Sequence, residues 1–484
     1  MKLSEIMQRV CDTGGIDFDV SCVTADSRQV VPDSVFICIK GLKFDGHDHA
    51  KEAVEAGARA VVAEHDVGLD CQILVKNTRN AYALMSAAFF GYPAEKLKII
   101  GVTGTNGKTT ITNILKHMLT DLGHKVGLLG TIQNEIGDMV IPAKHTTPDP
   151  GELHALFARM LKAGCEYVVM EASSHALDQH RLDGIQFASA IFTNLTQDHL
   201  DYHGTMENYF QAKAKLFEMT DNAVINFDDK YGNRLDDMIC CPKYTFSTHD
   251  NNADFTARSI TFRPDGVDFT IVADLTIARV HFCMPGDFSV SNALAAAACL
   301  VSLGFDLKAA ARVIDTFPGV KGRSEVIETG EDYTLMCDYA HTPDGLEQIL
   351  EAMEKVKTGR LVVLFGCAGN RDRAKRPKMV ESVAKHADFV VFTSDNPRDE
   401  DPMRIIEDGL PGFETYKTPH VVIPDRYEAI YYTLTHAQKD DLIILAGKGH
   451  EDYQVLHDAT IFFDEREIVR EMLERIRMER KLKK

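Results

Sequence analysis

Seven consecutive residues carry the clearest chemistry in the chain: Gly104, Thr105, Asn106, Gly107, Lys108, Thr109 and Thr110. Glycines let backbone N–H groups come close to phosphate oxygens, and a helix opening just after them adds positive potential there. A lysine in this position reaches the β- and γ-phosphates, and the hydroxyl beside it can ligate Mg²⁺. Lys108 and Thr109 are the residues for those two roles. The full pattern of such loops also wants a glycine where Val102 stands, with Gly101 and Gly104 to either side. A turn that merely caps a helix is the plainer alternative. A phosphate cradle says only that a nucleotide binds, so GTPase, kinase, transport ATPase and ligase chemistry all stay open.

The cradle needs a strand before it and a helix after it. Residues 97–102 form an apolar, β-branched run of strand length, and residues 111–119 have helical spacing. Further apolar runs at 125–130, 167–170, 188–193 and 222–227, with helical stretches between several of them, predict a parallel sheet covered on both faces. Residues 251–283 alternate with period two and predict antiparallel hairpins. Upstream, 34–39 and 58–63 read as strands around a helical segment at 49–57 that stops on Gly57. Downstream of 318–323 the α/β rhythm returns at 361–366, 389–394 and 442–447, and a last helix starts at Glu465. The expected domains are 1–96, 97–321 and 322–484.

At 484 residues the chain is too long for one ordinary core. With 53 Lys and Arg against 72 Asp and Glu, the net charge is −19, which disfavours nucleic acid as the main partner. Anionic substrates would have to be held by local clusters of arginine and lysine. The 11 cysteines form no CxxC pair, and the start has no signal-peptide pattern, so reduced thiols in a cytoplasm are expected. Cys240 and Cys241 are adjacent. No apolar run approaches the ~18–20 residues of a membrane span; the stretch 293–303 is alanine-rich and reads as a buried helix.

From Thr103 to Thr110 the loop resembles the ATP site of the Mur ligases, a superfamily that includes folylpolyglutamate synthases. The segments Asp26-Ser27-Arg28, His145 to Asp149, Glu171 to His175 and Asp198 to Gly204 narrow the resemblance. So do Gly366 to Asp372, Asp395 to Arg398 and Gly447 to Glu451. In that order they are similar to the branch that forms the UDP-N-acetylmuramoyl-tripeptide of peptidoglycan. Folate-type ligases share the loop but are not expected to carry the Asp26 and His145 segments.

The resemblance implies an α/β fold in three domains: an N-terminal UDP-sugar domain, a central P-loop ATPase domain and a C-terminal Rossmann-like domain. It also implies ATP, Mg²⁺ and the substrate UDP-MurNAc-L-Ala-D-Glu in a cytoplasmic monomer with no nucleic-acid or membrane partner. ATP would phosphorylate the D-glutamate carboxylate, and an amine would then displace phosphate from the acyl phosphate. Glu171 and His199 match magnesium ligands, with Thr109 on the nucleotide side. Lys213 matches a lysine that the family carries as a carbamate, and together Lys108, Lys213 and His199 form the catalytic set. An exposed helix lysine and a structural histidine are the plainer alternatives for Lys213 and His199. Asn292, Arg323 and Asp338 match nucleotide contacts, and His341 lies in the same strand-end motif as Asp338. Ser289 stands where the family usually has asparagine and offers no amide. Ser27, Thr146, Thr147, Ser173, Gln179 and Arg181 match contacts to the sugar nucleotide, although serine and threonine also serve as caps and turns.

The branch divides by whether meso-diaminopimelate or L-lysine is added. Diaminopimelate carries a distal carboxylate, for which a planar arginine fork is the matching partner. Arg398 supplies the fork within Asp395-Asn396-Pro397-Arg398, the form of the motif that goes with diaminopimelate. Glu451 and the Gly447 carbonyl would take the distal ammonium, and Arg371 the carboxylate beside the reacting amine. Lysine would leave Arg398 unmatched. The plainer alternative is a solvent-facing Arg398 salt-bridged to Asp399, Glu400 or Asp401. An L-lysine ligase and a non-catalytic scaffold of the same fold are the rival readings.

Overall fold

Apolar runs bounded by glycine and polar turns become the strands of the computed structural model, which describes residues 1–41, 44–263 and 266–482. The chain divides into two compact units. The first holds Met1–Leu195, His203–Phe246 and Ala298–Asp306; the second holds Thr196–Tyr202, Ser247–Ala297 and Leu307–Lys484.

The first unit begins with four parallel strands in the order β1-β2-β3-β4: β1 Cys22–Thr24, β2 Ser34–Ile37, β3 Ala58–Ala63 and β4 Gln72–Leu74. Val35, Ile37 and Val62 pack in one cluster with Leu3, Ile6 and Met85. Phe36, Cys38 and Val61 pack in another with Ala50 and Ala53. Side chains alternate along a strand, so a run apolar at every position buries both faces of its sheet.

The same unit contains β5 Lys98–Thr103, β6 Val126–Leu129, β7 Gln133–Ile136, β8 Met139–Pro142, β9 Tyr167–Glu171, β10 Ser189–Phe192, β11 Ala223–Asn226 and β12 Lys243–Ser247. Their order is β12-β11-β10-β5-β9-β6-β7-β8. Strand β5 is parallel to both β9 and β10, and the β6–β7 and β7–β8 pairs are antiparallel. The chain leaves β5 toward β6 on one side and returns later to β10 and β11 on the other. A crevice opens at such a reversal, at the carboxyl ends of the strands. Strands β7, β8 and β12 escape a reading for apolar runs: β7 buries Asn134 and Glu135, while Met139 and Val140 of β8 are exposed.

The second unit opens with an antiparallel meander: β13 Phe255–Arg263, β14 Gly266–Ala273 and β15 Thr276–Phe282. Burial along β15 alternates, as its period-two sequence predicts. The larger sheet contains β16 Glu325–Ile327, β17 Thr334–Asp338, β18 Leu361–Cys367, β19 Phe389–Ser394, β20 His420–Val422 and β21 Leu442–Ala446. Its order is β16-β17-β21-β18-β19-β20, parallel apart from β16. All seven residues of β18 are buried, alternating between two core clusters. A hairpin, β22 Tyr453–Val455 with β23 Thr460–Phe462, precedes the final helix Glu465–Leu482.

Residues 293–300 of the helix Asp287–Ser302 are fully buried, in keeping with their alanine-rich sequence. Among the described residues no helix is long and apolar enough to cross a membrane. All 11 cysteines are free thiols.

Candidate active site

Strand β5 delivers Thr103 to the loop, and the helix Lys108–Asp121 opens at its far end with Gly107 as N-cap. Gly104 has φ +148°, and a Cβ there would lie 1.8 Å from Thr193 Oγ1, so only glycine fits. Asn194, just beyond β10, holds the loop's shape: its carbonyl accepts from Thr105 N and its Oδ1 from Asn106 N, both at 2.9 Å. Thr193 Oγ1 donates to the Asn106 carbonyl at 2.6 Å. Lys108 Nζ folds back onto the Gly104 and Thr105 carbonyls, each at 2.8 Å. Thr110 is buried at the start of the helix.

Glu171, the last residue of β9, is 1% exposed. Its Oε1 accepts from Thr109 Oγ1 at 3.0 Å and from Thr131 N at 2.8 Å, and its Oε2 from Thr131 Oγ1 at 3.0 Å. A buried carboxylate against a P-loop hydroxyl is an all-oxygen donor set, which suits Mg²⁺. Lys213 is 1% exposed, with Nζ 2.7 Å from the Gly104 carbonyl and 4.6 Å from the Tyr209 ring centre. It is therefore no solvated helix lysine. Two ammonium groups meet one loop carbonyl, so positive charge is concentrated where anionic phosphate would enter.

Also in the first unit is a cavity of about 790 Å³ lined by Thr24, Ser27, Arg28, Tyr82, Gln179 and Arg181, among others. Asp26 caps the short helix Ser27–Gln29 and takes a bidentate contact from Arg28 at 2.9 Å, which holds its carboxyl down at about 2. Arg181 reaches Gln179 Oε1 at 2.9 Å, Asp149 at 3.1 Å and the Thr147 carbonyl at 3.0 Å. Thr146 Oγ1 meets Thr131 Oγ1 at 3.1 Å. The Thr147 hydroxyl is internal, between the Glu171 carbonyl at 2.7 Å and Ser173 N at 3.1 Å. Ser173 caps the helix Ser174–Asp178. The last two hydroxyls thus shape the turn after β9.

In the second unit, His199 sits at φ +52° with Nε2 3.4 Å from Asp198. Burial raises the Asp198 carboxyl, but His199 and Lys375, the latter at 2.8 Å, outweigh it and hold that carboxyl far below the usual range. Arg323 lies 4.6 Å over the Tyr339 ring. Asp338 ends β17 and accepts from Ser324 N and Ala340 N, both at 2.7 Å; burial pushes its carboxyl up. His341 follows, exposed, with Nδ1 2.7 Å from the Tyr339 carbonyl. Asn292 is 8% exposed on the helix Asp287–Ser302. Ser289 is buried and donates to the Pro285 carbonyl at 2.8 Å, so it finishes the start of that helix.

The ends of β19 and β21 carry the remaining candidates. Gly447, at φ +109°, lets the chain pass Asp395, whose Oδ2 would lie 2.7 Å from a Cβ there. Pro397 is buried in the turn after Asn396. Arg398 is half-buried, with Nη1 2.8 Å from the Gly369 carbonyl. Burial and the like charge of Arg371 both lower its pKa. The neighbouring acids are engaged elsewhere: Asp399 with Asn370, Glu400 with Arg373 and Arg376, and Asp401 as cap of the helix Pro402–Gly409. The surface salt-bridge alternative for Arg398 is therefore not what the structure holds. A like charge acting on Arg398 in this way is a setting that an anion would relieve. Asn396 Nδ2 donates to Glu451 Oε2 at 3.0 Å.

Two buried cations here escape a motif reading. Arg426 is fully buried and binds Glu465 at 2.8 Å, the Ala446 carbonyl at 2.8 Å and the Ser394 carbonyl at 3.3 Å. It ties the ends of β19 and β21 to the final helix. Lys448, also fully buried, sits between Asn396 and Glu451. Its one sequence signal is a lysine between two glycines directly after an all-apolar strand.

Family models match in chain order: "Mur ligase family, catalytic domain" at 19–106, "Mur ligase middle domain" at 102–300, and "Mur ligase, glutamate ligase domain" at 322–449. A UDP-N-acetylmuramoyl-L-alanyl-D-glutamate--2,6-diaminopimelate ligase of Caldanaerobacter subterraneus subsp. tengcongensis is 47% identical over 465 residues, covering 95% of this chain and 96% of that protein. Its counterpart in Clostridium tetani is 42% identical, covering 98% of this chain and 100% of its own. A solved structure of a ligase of the same name superposes with TM-score 0.71 at 32% identity, covering 99% of each chain.

Proposed function

This chain belongs to the Mur ligase family, and from that premise we infer that it is the ATP-dependent ligase that joins meso-diaminopimelate to UDP-MurNAc-L-Ala-D-Glu, a step in peptidoglycan precursor synthesis. The observation that carries the choice of amino acid is the half-buried Arg398 beside Arg371, its own acidic neighbours engaged elsewhere. A distal carboxylate is the partner that such a fork matches.

The chemistry follows from the loop outward. Loop N–H groups and Lys108 take the nucleotide phosphates, and the Lys108 ammonium exchanges its carbonyl partners for phosphate oxygens. Thr109 and Glu171 would hold Mg²⁺, which would supply charge neutralisation for the phosphates. Lys213, as its carbamate, and His199 are the further candidate ligands. The γ-phosphoryl passes to the D-glutamate carboxylate, and the amine of diaminopimelate attacks the acyl phosphate to form the amide and release phosphate. Ser27, Gln179 and Arg181 line the cavity for the uridine end. Thr146 belongs to the same substrate set, and Thr147 and Ser173 act by shaping the turn behind it. Asn292, Arg323 and Asp338 are the further candidate contacts of the nucleotide. Arg371 takes the carboxylate next to the reacting amine; Arg398, Asn396, Glu451 and the Gly447 carbonyl take the distal end. The enzyme works as a cytoplasmic monomer, with neither nucleic acid nor membrane as partner.

The test is phosphate release from ATP and Mg²⁺ with UDP-MurNAc-L-Ala-D-Glu, comparing meso-diaminopimelate with L-lysine. Turnover with diaminopimelate alone is expected. Turnover with lysine instead would keep the ligase and remove Arg398 as the selector.

A further inference from the structure

We propose that Lys448 is the positioning residue of the amino-acid site: it fixes the orientation of the Asn396 amide and of the Glu451 carboxylate. This rests on the reading of those two residues as the distal-end contacts. Lys448 is fully buried on a turn whose flanking glycines, Gly447 and Gly449, both have positive φ. An ammonium has three hydrogens to donate. Here they go to the Tyr453 carbonyl at 2.7 Å, Asn396 Oδ1 at 3.0 Å and Glu451 Oε2 at 3.2 Å. With all donors committed and no exposed surface, Lys448 acts on a ligand only through its neighbours.

Those contacts decide two orientations. Asn396 Oδ1 accepts from Lys448 and from Val455 N at 2.9 Å, so the opposite amide rotamer would turn N–H groups against two donors. The Asn396 amide nitrogen is thereby held toward Glu451. Glu451 Oε2 accepts from Lys448 and Asn396, Oε1 takes a 3.5 Å contact from the Tyr339 hydroxyl, and the Tyr453 phenol also hydrogen-bonds the carboxylate. Lys448 and Asn396 together thus fix the carboxylate in one orientation. Lys448 also offsets part of the Glu451 charge, so the site favours a ligand that brings its own carboxylate along with its ammonium.

The test uses the full-length enzyme with ATP, Mg²⁺ and UDP-MurNAc-L-Ala-D-Glu, measuring KM for meso-diaminopimelate and for ATP in Lys448→Met and Lys448→Gln. In Lys448→Met the diaminopimelate KM should rise about 10–100-fold, with the ATP KM unchanged within about twofold. Lys448→Gln, which keeps a donor without the charge, should fall between this variant and the wild type. It also serves if Lys448→Met does not fold. Because Lys448 acts through Asn396 and Glu451, adding Lys448→Met to an Asn396→Ala, Glu451→Ala double variant should change that KM by no more than about twofold. Additive effects, or a lowered melting temperature with an unchanged diaminopimelate KM, would overturn the proposal. If Glu451→Ala alone leaves the KM unmoved, the amino-acid site reading fails instead.

Discussion

On the proposed reading, the phosphate loop and the strand-end cluster around Arg398 both prepare for anions, and they do so by opposite means. The loop uses main chain: glycine torsions, a helix N-terminus and carbonyls that hold two ammonium groups in waiting. The strand-end cluster uses side chains drawn from positions as far apart as 396, 426, 448 and 465, oriented by buried hydrogen bonds. A backbone site recognises what every nucleoside triphosphate shares. A side-chain site can distinguish one amino acid from another, because each group has a fixed place and a small set of acceptable partners.

Exchanging charge at each site separates the two most sharply. Lys108→Met should reduce kcat with diaminopimelate by about 10²–10³-fold, read as phosphate release. A loss below about tenfold would show that the loop's backbone suffices without its lysine. Arg398→Ala should cut kcat/KM for diaminopimelate by about 10²-fold and leave ATP binding intact by calorimetry. An unchanged diaminopimelate KM would remove the distinction between the sites. Gly104→Ala tests the claim that the loop is made of main chain. Its Cβ would lie 1.8 Å from Thr193 Oγ1. A destabilisation of about 3 kcal/mol by denaturant titration and weakened ATP binding are expected.

The smallest effect concerns a buried histidine. His154 in the first unit is 0% exposed, and burial lowers its pKa to about 4. The unfolded chain binds this proton from about pH 6.5 downward, while the folded chain resists it to about 4. Stability therefore falls as pH drops through that window. His154→Leu should remove about 2 kcal/mol of that loss at pH 5, seen as a flatter dependence of unfolding free energy on pH. His450 in the second unit, lowered to about 3 first by burial and then by Arg323 and Arg466, should extend the remaining slope to lower pH.

This contrast also explains what the sequence made legible. The loop, its strand and its helix are contiguous, so residue type and local spacing announce them. The Asp395 to Arg398 and Gly447 to Glu451 segments show as motifs for the same reason. Lys448 and Arg426 gain their roles only when β19 and β21 lie in one sheet, and the two glycines around Lys448 are the one local mark of its place. Asn194 has no local mark, because its partners are the backbone groups of Thr105 and Asn106, far away in the chain. For Thr147 and Ser173 residue type suggested ligand contact, whereas their hydroxyls complete a turn. In β7, buried Asn134 and Glu135 concealed a strand behind a polar pattern.

The strand order β16-β17-β21-β18-β19-β20 has a consequence in time. The strand that lies between β17 and β18 is made last, and the carboxylate that anchors Arg426 comes later still, at Glu465. During translation β17 and β18 cannot close against each other in their native places, and the strand ends bearing Asp395 and Gly447 stay untied until the first turn of the final helix clears the ribosome. Chains arrested at residue 460 should thus be cut readily by protease across 389–446, and chains released at full length should resist.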